Sequence, residues 1–292
     1  MTATTAIAPE TRTLEVPGAT LTYDIRRNEA TVQPPLFLIG SPMAAGGFPT
    51  LAGHFTDREV ITYDPRGSER STAHDPSKPI TTEVQAEDVH RIIEEVGGPV
   101  DLFASSGGAV VALALIAKYP GDVRTAVAHE PPLASLVPDR EHALAANRAM
   151  HETYQRSGWG AGMAHFMQVV MHRGPFTAED AAAPPPDPAT FGMPAGDDGN
   201  RSDLMLGHNV VWLTSFEPDF DRLRAAPTRI VIGVGEKSNG ELAHRGGEAV
   251  AQRLGLEPVA FPGDHGGFLG GEYGQSGEPD AFAAKLREVL AA

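Results

Sequence analysis

Val100-Asp101-Leu102-Phe103-Ala104-Ser105-Ser106-Gly107-Gly108-Ala109 is an apolar, strand-like run that ends in a serine among small residues and continues directly into Val110-Val111-Ala112-Leu113-Ala114-Leu115. A strand that turns straight into a helix has no room for side chains two positions before and two after the apex. Those positions hold Ala104 and Gly108. The stretch therefore reads small-x-Ser-x-Gly, a strained turn that holds one hydroxyl at the end of a parallel strand and at a helix N-terminus. Ser106 is the leading candidate for a nucleophile. A Ser- and Gly-rich turn between strand and helix is also common in α/β proteins at large, so the rest of the chain must decide.

Outward from this turn, short apolar runs recur at 36–39, 60–63, 123–129, 230–234 and 258–261. Apolar on both faces, they read with 100–104 as strands of a buried parallel sheet. Residues 13–16 and 21–26, joined by Pro17-Gly18, predict a hairpin. Thr82-Glu83-Val84-Gln85 offers a capping box ahead of Val89, Ile92, Ile93 and Val96 at helical spacing. Residues 108–119 are apolar nearly all round, as in a helix buried behind the serine strand. Phe282, Leu286, Val289 and Leu290 mark a terminal amphipathic helix. Strand and helix alternate, which predicts one doubly wound α/β domain. The connection 131–227 is far longer than a crossover needs and implies an insertion. Both tryptophans, Trp159 and Trp212, lie in it, with Met150, Met163, Met167, Met171, Met193 and Met205. Met163, Met167 and Met171 form a flexible apolar stripe suited either to a bound substrate or to packing the insertion onto the main domain. Residues 181–200, rich in Pro, Gly, Ala and Asp, read as a long mobile loop.

Three further segments join the serine turn in a resemblance to the α/β-hydrolase superfamily that runs over nearly the whole chain. Leu36-Phe37-Leu38-Ile39-Gly40-Ser41-Pro42 resembles the strand and His-Gly-x-Pro of that family, with Ile39 where histidine is usual. Asp64-Pro65-Arg66-Gly67-Ser68-Glu69-Arg70-Ser71 resembles its Asp-x-Arg-Gly-x-Gly-x-Ser loop, with Glu69 replacing the second glycine. Phe261-Pro262-Gly263-Asp264-His265-Gly266 looks like the late strand and loop that deliver a histidine. The resemblance implies an α/β-hydrolase fold, a mostly parallel central sheet flanked by helices. Residues 1–130 and 228–292 would form the core domain. A mainly helical cap, 131–227, would be inserted between the strand ending near Glu130 and the strand starting near Arg229.

A serine hydroxyl needs a base within hydrogen-bond reach, and that base needs an acid to fix its tautomer. Of eleven histidines, only His265 follows the last predicted core strand in a Gly-rich loop, compatible with the chain order Ser, acid, His. His129 abuts a strand end and suits a structural role, and His142, His151, His165, His172 and His208 belong to the insertion. The resemblance leads one to expect an Asp after the strand that follows the cap. Gly235-Glu236-Lys237-Ser238 puts a hydroxyl there, which cannot carry the charge an imidazolium needs, so Ser238 is expected to contribute little. Some members of the superfamily place the acid one strand earlier, and here Glu130 ends that strand ahead of Pro131-Pro132. A carboxylate buried there would need a partner. Glu130 is thus chosen over Glu236 and Asp264; exposure at the sheet edge or a bond to a backbone amide would also explain it. The oxyanion donors implied by the resemblance are the backbone N–H groups of Ser41 and Gly107, each worth about 3 kcal/mol in barrier height. Asp64, Arg66 and Ser71 are expected to brace loops.

Serine rather than aspartate at position 106 disfavours epoxide and halide chemistry. An acyl-enzyme on Ser106 with an ester, lactone or thioester is expected, the apolar insertion suggests a small, neutral, fairly hydrophobic substrate, and no cofactor or metal is called for. A carbon–carbon lyase using the same groups as a proton relay, or a catalytically silent binding protein, are the rival readings. A formal net charge of −15 disfavours nucleic acid as a partner. The absence of cysteine excludes disulfides and thiolate chemistry. No run approaches the roughly 20 apolar residues that span a bilayer. Residues 1–9 lack the basic start and apolar stretch of an export signal, so a cytoplasmic location is expected.

Overall fold

The computed structural model describes residues 8–28 and 30–292; residues 1–7, part of the stretch just read for an export signal, lie outside the described residues. The chain opens with a hairpin of β1 (Glu10–Val16) and β2 (Ala19–Arg26), closed between Val16 and Ala19. Gly18 sits at φ +81°, the left-handed conformation this tight turn requires. Both strands begin earlier than their apolar patterns predict. In β1 the added residues are exposed Glu10, Thr11 and partly exposed Arg12, which pair with Ile25, Asp24 and Tyr23.

Next come β3 (Leu36–Ile39), α1 (Pro49–Gly53), β4 (Val60–Asp64), β5 (Thr72–Ala73), α2 (Thr82–Val96), β6 (Val100–Ser105), α3 (Gly107–Lys118) and β7 (Val123–His129). The long connection carries α4 (Arg140–Val170), α5 (Ala178–Ala181), α6 (Val210–Trp212) and α7 (Phe220–Ala225). The chain closes with β8 (Arg229–Gly235), α8 (Leu242–Leu254), β9 (Val259–Phe261) and α9 (Pro279–Ala291). The sheet order is β1-β2-β4-β3-β6-β7-β8-β9, with β5 paired to β2. Pairing is parallel from β4 to β9 and antiparallel around β2.

This order positions the site. The chain leaves β3 for β4 on one side and returns to β6 on the other, so strand order reverses at the β3–β6 pair. Loops leaving the carboxyl ends of strands at such a point run apart and leave a crevice between them. Ser41 follows β3 and Ser106 follows β6, so topology alone brings them to one crevice. Two buried clusters cover the sheet faces, and β6 alternates between them: Leu102 and Ala104 face α2 and α3, while Phe103 faces Phe261, Phe268 and Phe282. Among the described residues no helix is long and apolar enough to cross a membrane.

Three expectations are modified. The N-cap of α2 is Thr81, whose hydroxyl accepts from Val84 N–H at 3.4 Å. Thr82 donates instead to the Trp212 carbonyl at 3.3 Å, and Gln85 turns into the interior rather than back to the cap. Secondly, the stretch 181–200 is less free than its composition predicts. Gly158, at φ +85°, and Gly160 leave space that a Cβ would take from Asp197 and from the Pro194 carbonyl, so these glycines let the loop dock on α4. Thirdly, the ends of 131–227 pack with the main body: Leu133, Leu213, Phe220 and Leu223 are buried in the cluster that holds Ile39 and α3.

Candidate active site

Ser106 sits at φ 58°, ψ −127°, between β6 and α3. Its N–H donates to the His129 carbonyl at 2.9 Å and its carbonyl accepts from Ala109, which ties the turn to the end of β7. Glycine on both following positions is a steric requirement. A Cβ on Gly108 would lie 2.7 Å from the Ile39 carbonyl oxygen and 2.8 Å from Gly40 Cα. One on Gly107 would overlap the Ser41 carbonyl and lie 2.5 Å from Leu213 Cδ1. Because Gly108 meets backbone, which cannot rotate aside, Gly108→Ala is expected to destabilise the protein by roughly 1–3 kcal/mol. Urea unfolding at constant m-value checks this, and an unchanged midpoint would show that the turn has slack.

Glu130 also has positive φ, +50°. Its N–H donates to the Gly233 carbonyl at 3.0 Å, and this left-handed step after β7 turns its side chain under the site. The carboxylate is fully buried. Oε2 accepts from His265 Nδ1 at 2.6 Å, while Oε1 accepts from Gly235 N–H at 2.8 Å and from the Ser238 hydroxyl. His244 Nδ1 stands 3.5 Å from the same Oε1. Burial alone would push the Glu130 carboxyl up, but His244 and His265 beside it, and the charge His265 carries, hold it well below the usual carboxylate range. Burial likewise disfavours a charge on His265, yet its bond to Glu130 and the attraction of that carboxylate leave its pKa raised above the ordinary 6.5. Occupied at Nδ1, the imidazole keeps Nε2 for exchange with another group.

The structure thus brings Glu130 and His265 together. It leaves the alternative acids outside: Glu236 and Asp264 are exposed, and Asp264 accepts from Gly266 N–H at 2.9 Å. Ser238, where an Asp was expected, donates its hydroxyl to Glu130, a contact the sequence did not suggest. His244, one turn into α8, has no sequence signal that would have linked it to Glu130. The adjacent His129 is fully buried among Phe103, Phe261 and Phe282. Its pKa is pushed down to about 4 by burial, which keeps it neutral.

Ser106, Gly107, Ser41 and His265 line one cavity of about 390 Å³. Its other walls include Phe166, Met167 and Met171 from α4 and the residue after it, and Met205, Asn209, Val210 and Leu213 from the segment before α7. Of the methionine stripe, Met167 and Met171 face this space, whereas Met163 packs against the Met150, Tyr154, Leu206 and Val210 cluster. Asp64 accepts from Ala45 N–H at 3.1 Å and from Arg70 Nε at 2.6 Å, and the Ser71 hydroxyl donates to its carbonyl. Arg66 pairs with Asp88. These residues brace the loops behind Ser41. Among the described residues no three His, Asp or Glu groups are placed to hold a metal ion.

The model of a family described as having the alpha/beta hydrolase fold matches residues 37–175, the stretch that contains the β3 loop, the Ser106 turn and Glu130. The chain has the α/β-hydrolase fold. It is similar to the uncharacterized hydrolase YraK of Bacillus subtilis (strain 168), with 26% identity over 262 residues, covering 88% of this chain and 89% of that protein. Among solved structures, MGS-M2, an alpha/beta hydrolase enzyme from a Medee basin deep-sea metagenome library, aligns with a TM-score of 0.68 at 16% identity, over 96% of this chain and 98% of that one. The esterase EaEST from Exiguobacterium antarcticum aligns with a TM-score of 0.63 at 16% identity, over 94% and 96% of the two chains. At that identity the structural likeness of these α/β-hydrolases speaks to fold alone.

Proposed function

We propose that the protein is a serine hydrolase that cleaves carboxylic esters or lactones of small, fairly hydrophobic substrates. The observation that carries this reading is the hydrogen bond of His265 to the buried Glu130 carboxylate, with His265 lining the same cavity as a serine held at φ 58°. In the proposed cycle Ser106 Oγ attacks the ester carbonyl as His265 Nε2 takes its proton. The tetrahedral oxyanion is held by the N–H groups of Ser41 and Gly107. His265 then protonates the departing alkoxide, and the same imidazole activates water to release the acid from the Ser106 ester. Glu130 keeps the imidazole in the productive tautomer and stabilises it when charged. Residues 131–227 act as a cap, whose Phe166 and methionine side chains supply an apolar wall. A cavity of about 390 Å³ is near the small end of ligand sites, which favours short acyl groups.

Labelling by a fluorophosphonate, together with turnover of p-nitrophenyl acetate and butyrate, tests the reading. Labelling without turnover would favour a lyase, and neither would favour a silent binding protein. The pH profile gives a second check. Catalysis needs His265 neutral, and its pKa is raised above 6.5. kcat/KM is therefore expected to be lost as pH falls through a midpoint above 6.5 and to be restored above it. In Glu130→Gln the residual activity should keep to lower pH, because the partner that favours the imidazolium is gone. A midpoint that stays put in that variant would detach Glu130 from the base.

A further inference from the structure

Ser41, Gln85 and Asn209 close a hydrogen-bonded ring. The Ser41 hydroxyl donates to Gln85 Oε1 at 2.5 Å, Gln85 Nε2 donates to Asn209 Oδ1 at 3.1 Å, and Asn209 Nδ2 donates to Ser41 Oγ at 2.9 Å. All three side chains are buried. Each gives one bond and takes one around the ring, an arrangement in which every bond polarises the next. The members come from three separate parts of the fold: the loop after β3, the first turn of α2, and the inserted segment. Asn209 ends a π-helical turn, 205–209, a local distortion frequent at functional sites. Ile39, just before this loop, is apolar and buried in the main cluster, so it offers the loop no polar brace. Around the ring the same segment is seated on the core, through the Thr82 bond to the Trp212 carbonyl and the burial of Leu213, whose Cδ1 stands over Gly107.

We propose that Gln85 and Asn209 are positioning residues that fix the Ser41 N–H as an oxyanion donor, so that this donor is in place only when the inserted segment is seated. The proposal rests on the serine-hydrolase reading of the site. Neither residue touches the reacting atoms; each acts through Ser41. An amide aimed at the oxyanion contributes through fixed geometry, and opening the ring at any point frees the same loop.

The test uses Asn209→Leu, Gln85→Met and the double variant, all near-isosteric and without the ring's hydrogen bonds. In each single variant kcat for p-nitrophenyl butyrate should fall about ten-fold and affinity for butylboronic acid, a tetrahedral mimic, should fall by a similar factor. KM should stay within about two-fold, because the ground-state ester uses the donor weakly. The double variant should lose about as much as either single one, since a ring opens only once. Hydrogen exchange in a peptide covering 38–47 should quicken about ten-fold in Asn209→Leu, although the change lies in another segment. Wild-type kcat and boronate affinity in both single variants, a rise in KM alone, or losses that multiply in the double variant would overturn the proposal. So would unchanged loop exchange, which decides the ring whatever the chemistry. Wild-type protein that neither labels with fluorophosphonate nor turns over esters would instead sink the serine-hydrolase reading.

Discussion

Ser106→Ala is expected to lower kcat for p-nitrophenyl butyrate by roughly 100,000-fold to a million-fold, because no other hydroxyl can take over the attack. The fold should survive, since the hydroxyl is held by its backbone and not by packing. A companion variant separates chemistry from architecture. Ser106 stands at φ 58°, a conformation that costs a residue with a side chain about 1–2 kcal/mol and glycine almost nothing. Ser106→Gly should therefore be equally inactive and yet unfold at higher urea, by about 1 kcal/mol after the added entropy of the unfolded glycine is discounted. Activity retained by either variant would remove Ser106 from the mechanism. A loss of stability in Ser106→Gly would mean that its side chain supports the turn.

Glu130→Gln is expected to lower kcat by about 10,000-fold, the scale seen when an imidazole is left in the wrong tautomer beside an intact nucleophile. The present carboxylate serves three donors at once: His265 Nδ1, Gly235 N–H and the Ser238 hydroxyl. A glutamine has one acceptor oxygen. If that oxygen keeps Gly235 and Ser238, its amide N–H₂ meets Nδ1 and forces the proton onto Nε2, the atom that must receive the serine's. If it turns to His265, the buried Gly235 N–H loses its acceptor and the Ser238 hydroxyl keeps only the longer bond to the Gly235 carbonyl at 3.2 Å. Either outcome costs stability by about 1–3 kcal/mol, so activity must be measured on protein shown to be folded by near-UV circular dichroism. Ser238→Ala removes a single neutral donor and should cost only a few-fold in kcat, about the worth of one hydrogen bond. A larger effect for Ser238→Ala than for Glu130→Gln would move the acid's role away from β7.

What could be read along the chain was what depends on neighbours in sequence. β3 and β7 keep the predicted bounds because each is apolar on both faces and bounded by turn residues. Ala104 and Gly108 mark the turn because its crowding is local. Glu130 could be singled out as a buried strand-end carboxylate, and its positive-φ backbone could not, since nothing in Ala128-His129-Glu130-Pro131 demands φ +50°. The capping assignment missed by one residue because Gln85, apparently placed to reach back to Thr82, has a better partner in Asn209, far away in sequence. β5, two residues long, carries no period at all. Gly158 and Gly160 are required by Asp197 and Pro194, which stand against them from a distant part of the chain. Each miss is a contact between distant segments, the kind that propensity and periodicity do not encode.

Leu213 bears on how molecules get in and out. It is buried with the main core and its methyl stands over Gly107, so lifting the roof directly above the serine would strip an apolar side chain bare and separate it from the elbow. Traffic is easier to accommodate where Met171, 61% exposed, borders the cavity with Glu241 and Gln275. If the protein is the proposed hydrolase, a doorway at that margin would let the floor of the cavity stay rigid while the threshold flexes, and would make the residues around Met171 the natural place to widen or narrow the range of substrates admitted.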